Sequence, residues 1–593
     1  MTTLYQAFPI QGAQTRVVDI LPGSEPDAIA FECRVISPDN GDSYEALSYV
    51  WGDAAATRTV SISGYRVEIT ETLYTAFERL RSPDSKRTLW ADQVSINQTD
   101  DEEKGHQVIL MRTIYKQCSE CLIWFGRIPS DQGFATLDAK AALDFIHSVA
   151  DTKFADLQAD SRFKTFIAEN DRGVRTRKAF KALIMGGNPW WSRVWTVQEA
   201  VLPSAATLHW GPFTIPLKTM ELAAQEKELM LKCPDVESNR VQEEYFNLLI
   251  KFVHSVRSIR SPRKGEEPFT TLMRWRCREA TDPRDKLYGF IGLFRSGTLA
   301  SIPALRDISY SIAPAVLFTQ VTLDLIRSCQ NLRPLLFARK LRHATPELPT
   351  WAIDFASSSS TVDRNRSLRN SRRPWAASKG VGLQFEGSGD VGSLFLSGKS
   401  IDYVEKISNI YRVSTEEKPR KGKLREAMEE PYRMLEGYQT SHGSDMDADY
   451  VGGGSLRDAF WKTVKQKSTW LVVSLDVPED SDLADMEEYI MDSTAIPTAF
   501  FRSFDMSVPN STFFITSMGY LGLGPVDLRE NDHVYIFQGG KVPFVVRPVA
   551  DNNREAQNVE SSKFHLIDDA YVHGIMSGEI VAKKEDLTVV ELV

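Results

Sequence analysis

Short apolar runs alternate with helically spaced segments over the first 126 residues. "TRVVDILPGSEPDAIAFECRVI" sets two strand-like runs on either side of a Gly/Pro/Asp turn. "YEALSYVWGD" is mostly apolar from Ala46 to Trp51 and stops at Gly52, as a buried strand entering a loop does. "TVSISGYRVEIT" alternates about Ser63-Gly64 and predicts a hairpin. Leu73, Phe77 and Leu80 recur at helical spacing, after which "TLWADQVSI" returns to strand composition. In "DDEEKGHQVILMRTIYKQC" the acidic residues come first and Val108, Met111 and Tyr115 mark one helical face. "CLIWFG" is a further short buried strand. After a mainly helical stretch from about 135 to 187, "ATLHWG" supplies another.

This alternation predicts a parallel sheet with helices on its faces, and in such folds ligands gather in the loops beyond the strand C-termini. Those loops begin at Trp51-Gly52-Asp53, Asn97-Gln98 and Gly126-Arg127. Past residue 215 the pattern changes. Residues 218–262 are predicted helical, and "ATDPRDKLYGFIGLF" is read as a polar turn leading into an apolar helix. Residues 357–373 are basic and poor in apolar residues, the composition of an exposed loop. Strands return from about 392 in "SLFLSGKSIDYVEKI", interrupted by a charged helical stretch near 414–440 and by "YVGGGS". The chain ends in short strands with Gly turns, the pattern of a small β barrel or sandwich. The expected organisation is an α/β unit over 1–215 with a helical insertion at about 135–187. A mainly helical region (216–356), an exposed basic linker (357–390) and a mixed, mostly β domain (391–593) follow.

Composition narrows the function. With 42% hydrophobic and 25% charged residues the chain is that of a globular protein, and 593 residues exceed one core. A net charge of -9 argues against a surface built for nucleic acid or anionic lipid. No run approaches the length of a membrane-spanning helix, and the N-terminus lacks the pattern of a secretory signal. Cys33, Cys118, Cys121, Cys233, Cys277 and Cys329 do not make a disulfide framework, which fits a reducing, cytoplasmic compartment. Cys118 and Cys121 have metal-like spacing but no second pair, so no metal site is expected.

The candidate chemistry centres on "NPWWSRVWTVQEAVLP" (188–203). On a helical wheel Val194, Val197 and Val201 form one stripe and Glu199 lies opposite, where a solvated carboxylate would also lie. Arg193 suits a phosphate or a nearby carboxylate, and Trp195 suits a base or ordinary packing. Ser48, Trp51, Gly52 and Asp53 sit where the first strand meets its loop, Asp92 lies in the second strand run, and Asn97 and Gln98 come just after it. Asn97 is as well suited to capping a turn as to touching ribose or phosphate, and Gly52 alone is explained by a turn. "YVGGGS" lacks the lysine of a phosphate loop, "GYLGLGP" lacks dinucleotide spacing, and no G-x-S-x-G elbow occurs. His573 is expected to be a hydrogen-bonded structural histidine.

"YEALSYVWGD", "TLWADQVSINQTDDEEKGHQVILMRTIYKQCSECLIWFGR" and "NPWWSRVWTVQEAVL" together resemble the successive motifs of the fungal heterokaryon incompatibility (HET) domain family. "ATDPRDKLYGFIGL", "LPTWAIDF", "GYLGLGP" and "AYVHGIMSGE" extend the resemblance over most of the chain. HET domains are similar to TIR domains, so the resemblance implies a flavodoxin-like sheet and, from the TIR domains that cleave NAD, Glu199 as the matching catalytic carboxylate. Thr196 stands where the TIR motif often has cysteine, and the 135–187 insertion is foreign to a compact TIR domain. NAD enters as substrate and no cofactor is implied. A fixed carboxylate can stabilise the ribosyl cation, and because nicotinamide leaves neutral no general acid is required. Three functions compete: a self/non-self recognition and cell-death effector that consumes NAD when clustered, a non-catalytic module for homotypic or incompatibility-partner binding, and a scaffold diverted to small-molecule biosynthetic chemistry.

Overall fold

The computed structural model describes residues 3–24, 26–152, 156, 159–225, 240–259, 266–294, 297–338, 344–357, 373–387, 392–409, 421–443, 445–465, 511–549, 563–580 and 587–593. Two compact units emerge: Met1–Ala300 with Leu305–Ile312, and Ser301–Ala304 with Ala313–Val593. The basic stretch expected at 357–373 falls almost wholly outside the described residues. Among the described residues no helix is long and apolar enough to cross a membrane.

The first unit is built on nine strands: β1 (Thr15–Ile20), β2 (Phe31–Ile36), β3 (Glu45–Tyr49), β4 (Thr57–Ile62), β5 (Tyr65–Thr70), β6 (Arg87–Trp90), β7 (Cys121–Trp124), β8 (Ala206–Trp210) and β9 (Phe213–Pro216). Their order is β5-β4-β2-β1-β6-β3-β7-β8-β9. The expectation of a parallel sheet needs correction, because the sheet is mixed. Only β6-β3-β7-β8 form a continuous parallel core, and β1-β2, β4-β5 and β8-β9 pair antiparallel. For these three pairs the reason is local, since a short connection joins each, whereas parallel neighbours need a long crossover; β1 also pairs antiparallel with β6, far along the chain. At Ser63-Gly64 both residues take positive φ, 50° and 83°, as a tight two-residue hairpin turn demands.

Numbered by chain order, the parallel core reads 2-1-3-4, so the order reverses between β3 and β7. The helix Glu71–Leu80 buries Leu73, Ala76, Phe77 and Leu80 on one face of the sheet, in a cluster with Leu47, Leu89, Leu122 and Trp124. The stretch expected to be mainly helical at about 135–187 holds the helices Thr136–Asp151, Ser161–Ile167 and Asp171–Leu183. The apolar helix expected after "ATDPRD" is a single turn, Asp285–Tyr288, followed by a 3-10 turn, Ile291–Leu293. Gly289 and Gly292 interrupt it, and each sits where a Cβ would press on Val194 or Gln198.

In the second unit, β10 (Phe385–Gly387) pairs with the long β11 (Leu394–Ile407). The strands β12 (Ser511–Thr516), β13 (Leu521–Pro525), β14 (His533–Phe537), β15 (Phe544–Pro548), β16 (Lys563–Asp569), β17 (Tyr571–Val572) and β18 (Thr588–Leu592) follow. β14-β15-β16-β18-β11 close into a ring because β11 also pairs with β14. β11 bends at irregular registers near Ser400/Asp402 and Val404/Lys406, which lets one strand serve the ring and then continue to β12. Its core gathers Phe460, Trp461, Phe513, Phe514, Ile515 and Leu521.

Candidate functional site

β3 delivers two polar side chains to opposite faces at its C-terminal end, because successive strand residues alternate. Ser48 meets the segment 190–199. Its hydroxyl donates to Glu199 Oε2 at 2.5 Å and accepts from Trp190 Nε1 at 2.8 Å. Since an indole N–H can only donate, it occupies a lone pair of the Ser48 oxygen and directs the hydroxyl proton at the carboxylate.

Glu199 is 5% exposed. The helical-wheel placement opposite the valine stripe, which suggested a solvated carboxylate, is therefore corrected. The helix Thr196–Val201 has only six residues and is buried from Thr196 through Ala200, so it has no solvent face for Glu199 to occupy. Burial pushes the Glu199 carboxyl up to about 8, Ser48 and Arg193 pull against that rise, and the charge of Asp92 adds to it. Asp92, which keeps partial contact with solvent, is likewise raised by the protein around it; Trp51 Nε1 donates to its Oδ2 at 2.8 Å. Tyr49 is buried with its hydroxyl toward Asp92 but without a partner in hydrogen-bond geometry.

The structure thus brings Ser48, Glu199, Asp92, Trp51 and Arg193 together. Arg193 lies near enough to act electrostatically on Glu199, Asp92 and Tyr49, yet its guanidinium has no hydrogen-bond or ion-pair partner among the described residues. Gln98 donates from Nε2 to the Asp92 carbonyl at 3.1 Å. The remaining candidates have local tasks. Asn97 Oδ1 accepts from the Thr99 hydroxyl and amide, and Asp53 Oδ1 accepts from the Ala55 amide. Gly52 needs its φ of 76°, and a Cβ there would lie 2.5 Å from Thr72 Oγ1. Trp195 turns away to donate to Asp285 Oδ2 at 3.2 Å. His573, in the second unit, bonds the Tyr571 hydroxyl through Nδ1 at 3.0 Å.

Several residues that shape the site were not singled out from the sequence. Tyr49, Tyr115 and Trp190 surround Glu199 and Asp92; their one signal is placement beside Ser48 or within the same motifs. A second buried acid, Asp285, accepts from Tyr310 at 2.8 Å as well as from Trp195, and burial raises it to about 6. Arg278, 2% exposed, donates to the Arg193 carbonyl, Thr196 Oγ1, Ser258 O and Ser258 Oγ, while backbone bonds join Val194 to Glu279 and Glu279 to Ser192. The segment from 278 to 292 thus fixes the register of 192–198 and with it the direction of Glu199.

Comparison with known proteins agrees with this layout. Residues 44–199, which span Ser48 to Glu199, match the family Heterokaryon incompatibility protein (HET), and residues 463–590 match the Het-6 beta-barrel domain. The chain is 24% identical to "Heterokaryon incompatibility protein 6, OR allele" of Neurospora crassa, over 97% of this chain and 96% of that protein. No solved structure matches. A matched segment that begins before Ser48 and ends on Glu199, a second one over the closing strands, and a relative similar from end to end lead to one conclusion: residues 44–199 carry a heterokaryon incompatibility (HET) domain, residues 463–590 carry a Het-6 β-barrel domain, and the chain is similar throughout to a heterokaryon incompatibility protein.

Proposed function

We propose that the HET domain hydrolyses NAD at the bond between nicotinamide and ribose, and that this consumption drives a self/non-self recognition and cell-death response. The observation that carries the proposal is the burial of Glu199 against Ser48 at the C-terminal end of β3, beside the point where the parallel order reverses. The order 2-1-3-4 is the beginning of the flavodoxin-like order, and it supports the TIR comparison from which Glu199 takes its role.

In this mechanism the C1′–N bond breaks, its electron pair leaves with neutral nicotinamide, and positive charge develops on the ribose. The Glu199 carboxylate stabilises that charge, Ser48 holds the carboxylate in place, and water adds at C1′ with loss of a proton. Arg193, whose guanidinium is uncommitted, binds a phosphate of the pyrophosphate. The ionised form of Glu199 is the active one, and a cationic nicotinamide ring beside it favours that form. Clustering through a second copy or an incompatibility partner supplies the trigger. The test is nicotinamide release by full-length wild type and Glu199→Gln across protein concentration. Glu199→Gln is expected to lose roughly 10²–10³-fold in rate while remaining folded. Absence of release by concentrated wild type refutes the enzymatic proposal.

One observation favours a second reading, a non-catalytic binding module: with its carboxyl at about 8, Glu199 is largely protonated at pH 7 in the free protein and can serve as a neutral packing group. In that case Glu199→Gln retains signalling while a substitution that blocks assembly abolishes it.

A further inference from the structure

Tyr49, Trp124 and His209 stand in one row. Tyr49 on β3 is in register with Trp124 on β7, and Trp124 with His209 on β8. Register partners in a parallel sheet point to the same face, so the three side chains rise side by side on the face opposite Ser48. They are 4%, 3% and 7% exposed. Even so, Tyr49 Oη, Trp124 Nε1 and both His209 ring nitrogens have no hydrogen-bond partner. Three other buried indoles in the unit are by contrast paired: Trp90 with Thr15, Trp190 with Ser48 and Trp191 with the Leu183 carbonyl. Buried polar atoms are nearly always satisfied, and four unsatisfied ones along a single register line are a concentration that packing alone does not explain.

The row lies at the loop edge of the parallel core. The helix Glu71–Leu80 crosses over this edge: Thr72 touches Gly52 beyond β3, Glu78 pairs with Arg127 beyond β7 at 2.5 Å, and Arg79 donates to the Gly211 and Pro212 carbonyls beyond β8. Tyr49 belongs to both places, since its hydroxyl also approaches Asp92 and the Glu199 cluster.

The chemistry offered is uncharged. Burial, reinforced by the nearby Arg79 and Arg87 charges, pushes the His209 imidazole down to about 4, so it is neutral at physiological pH. One ring nitrogen then donates and the other accepts; the Trp124 indole only donates, and the Tyr49 hydroxyl does either. The complement is a flat, neutral group with an acceptor beside an N–H donor, while Arg79 and Arg87 disfavour a cation there.

We propose that Tyr49, Trp124 and His209 form a binding subsite for such an edge, as found on a primary carboxamide or on adenine. The subsite stands apart from hydrolysis, because none of its three residues is Glu199 and none needs a bond to break.

The experiment is calorimetric titration of the full-length protein with nicotinamide and, separately, with adenine. Wild type, Glu199→Gln, His209→Phe and Trp124→Phe are compared. Wild type and Glu199→Gln should bind one of the two probes with similar Kd, and which probe binds separates a carboxamide from a nucleobase. His209→Phe should weaken that binding at least about tenfold while holding or raising Tm, since replacing unsatisfied nitrogens by an apolar ring costs the fold nothing. Trp124→Phe, which removes the indole N–H, should also weaken it and serves as the second arm should His209→Phe fail to fold. Failure of both probes to bind wild type at millimolar concentration overturns the proposal, as does binding to both folded variants as tight as to wild type. Probe binding without any nicotinamide release from NAD leaves this subsite standing and removes only the hydrolase proposal.

Discussion

Two buried carboxylates, one in each unit, are handled in opposite ways. Asp532, 1% exposed, is grasped by Arg547 through Nε at 2.6 Å and Nη2 at 2.8 Å, and it also accepts from the Arg529 amide at 2.8 Å. Glu199, 5% exposed, has one hydroxyl at 2.5 Å, while the nearest useful cation, Arg193, acts on it without touching it. A carboxylate neutralised by a bidentate arginine is a structural joint. A buried carboxylate whose neutralising cation stands apart keeps its chemistry available, and its raised proton affinity is the cost of that availability.

The comparison can be broken most forcefully on the structural side. Arg547→Met leaves Asp532 buried without its cation and should destabilise the protein by about 3–5 kcal/mol, measured by urea unfolding. Loss of less than about 1 kcal/mol would show that Asp532 is no better served than Glu199.

The next effect is on pH dependence. In the folded state Glu199 sits at about 8 against an ordinary 4.5, so the folded protein retains a proton that the unfolded chain releases. The stability tied to that proton is fully present below pH 4.5 and is lost as pH rises through 8. Wild type should therefore lose stability relative to Glu199→Gln between pH 5 and 8.5, by on the order of a few kcal/mol. A difference independent of pH would place Glu199 in contact with water.

Ser48→Ala should cost about 1–3 kcal/mol, because it leaves the Trp190 N–H and the Glu199 carboxyl buried without their shared partner. It should also raise the Glu199 midpoint, since the Ser48 hydrogen bond lowers it. The smallest effect is expected from Arg193→Met, within about 0.5 kcal/mol in thermal unfolding, because the guanidinium has no bond to lose. A cost as large as that of Arg547→Met would make Arg193 a structural partner and erase the contrast.

Much of this arrangement was legible in the sequence, for identifiable reasons. The core strands announced themselves as apolar runs ending at Gly52, Gly126 and Gly211, and Ser63-Gly64 marked its hairpin by turn chemistry. Ser48, Asp92 and Glu199 were found through motif positions and do converge. The mixed character of the sheet was not legible, because an apolar run states that a strand is buried without stating which neighbour it takes. The wheel argument failed at Glu199 because a six-residue helix wedged between sheet and chain has no solvent face. Asp285 and Arg278 escaped notice because they lie 86 and 79 positions beyond Glu199 in the chain, and only the fold brings them to the segment that carries it. The row of Tyr49, Trp124 and His209 depends on strand register, which no single segment encodes.

The claim on which the account turns is that the Glu199 carboxylate, when ionised, is the group that acts on NAD. The pH dependence of kcat/KM for nicotinamide release by the full-length protein tests it most directly. This kcat/KM should rise with pH through a midpoint near 8, set by Glu199 in the free protein, and that rise should be lost in Glu199→Gln. Release by Glu199→Gln at the wild-type rate, or a wild-type profile flat from pH 6 to 9, would contradict it.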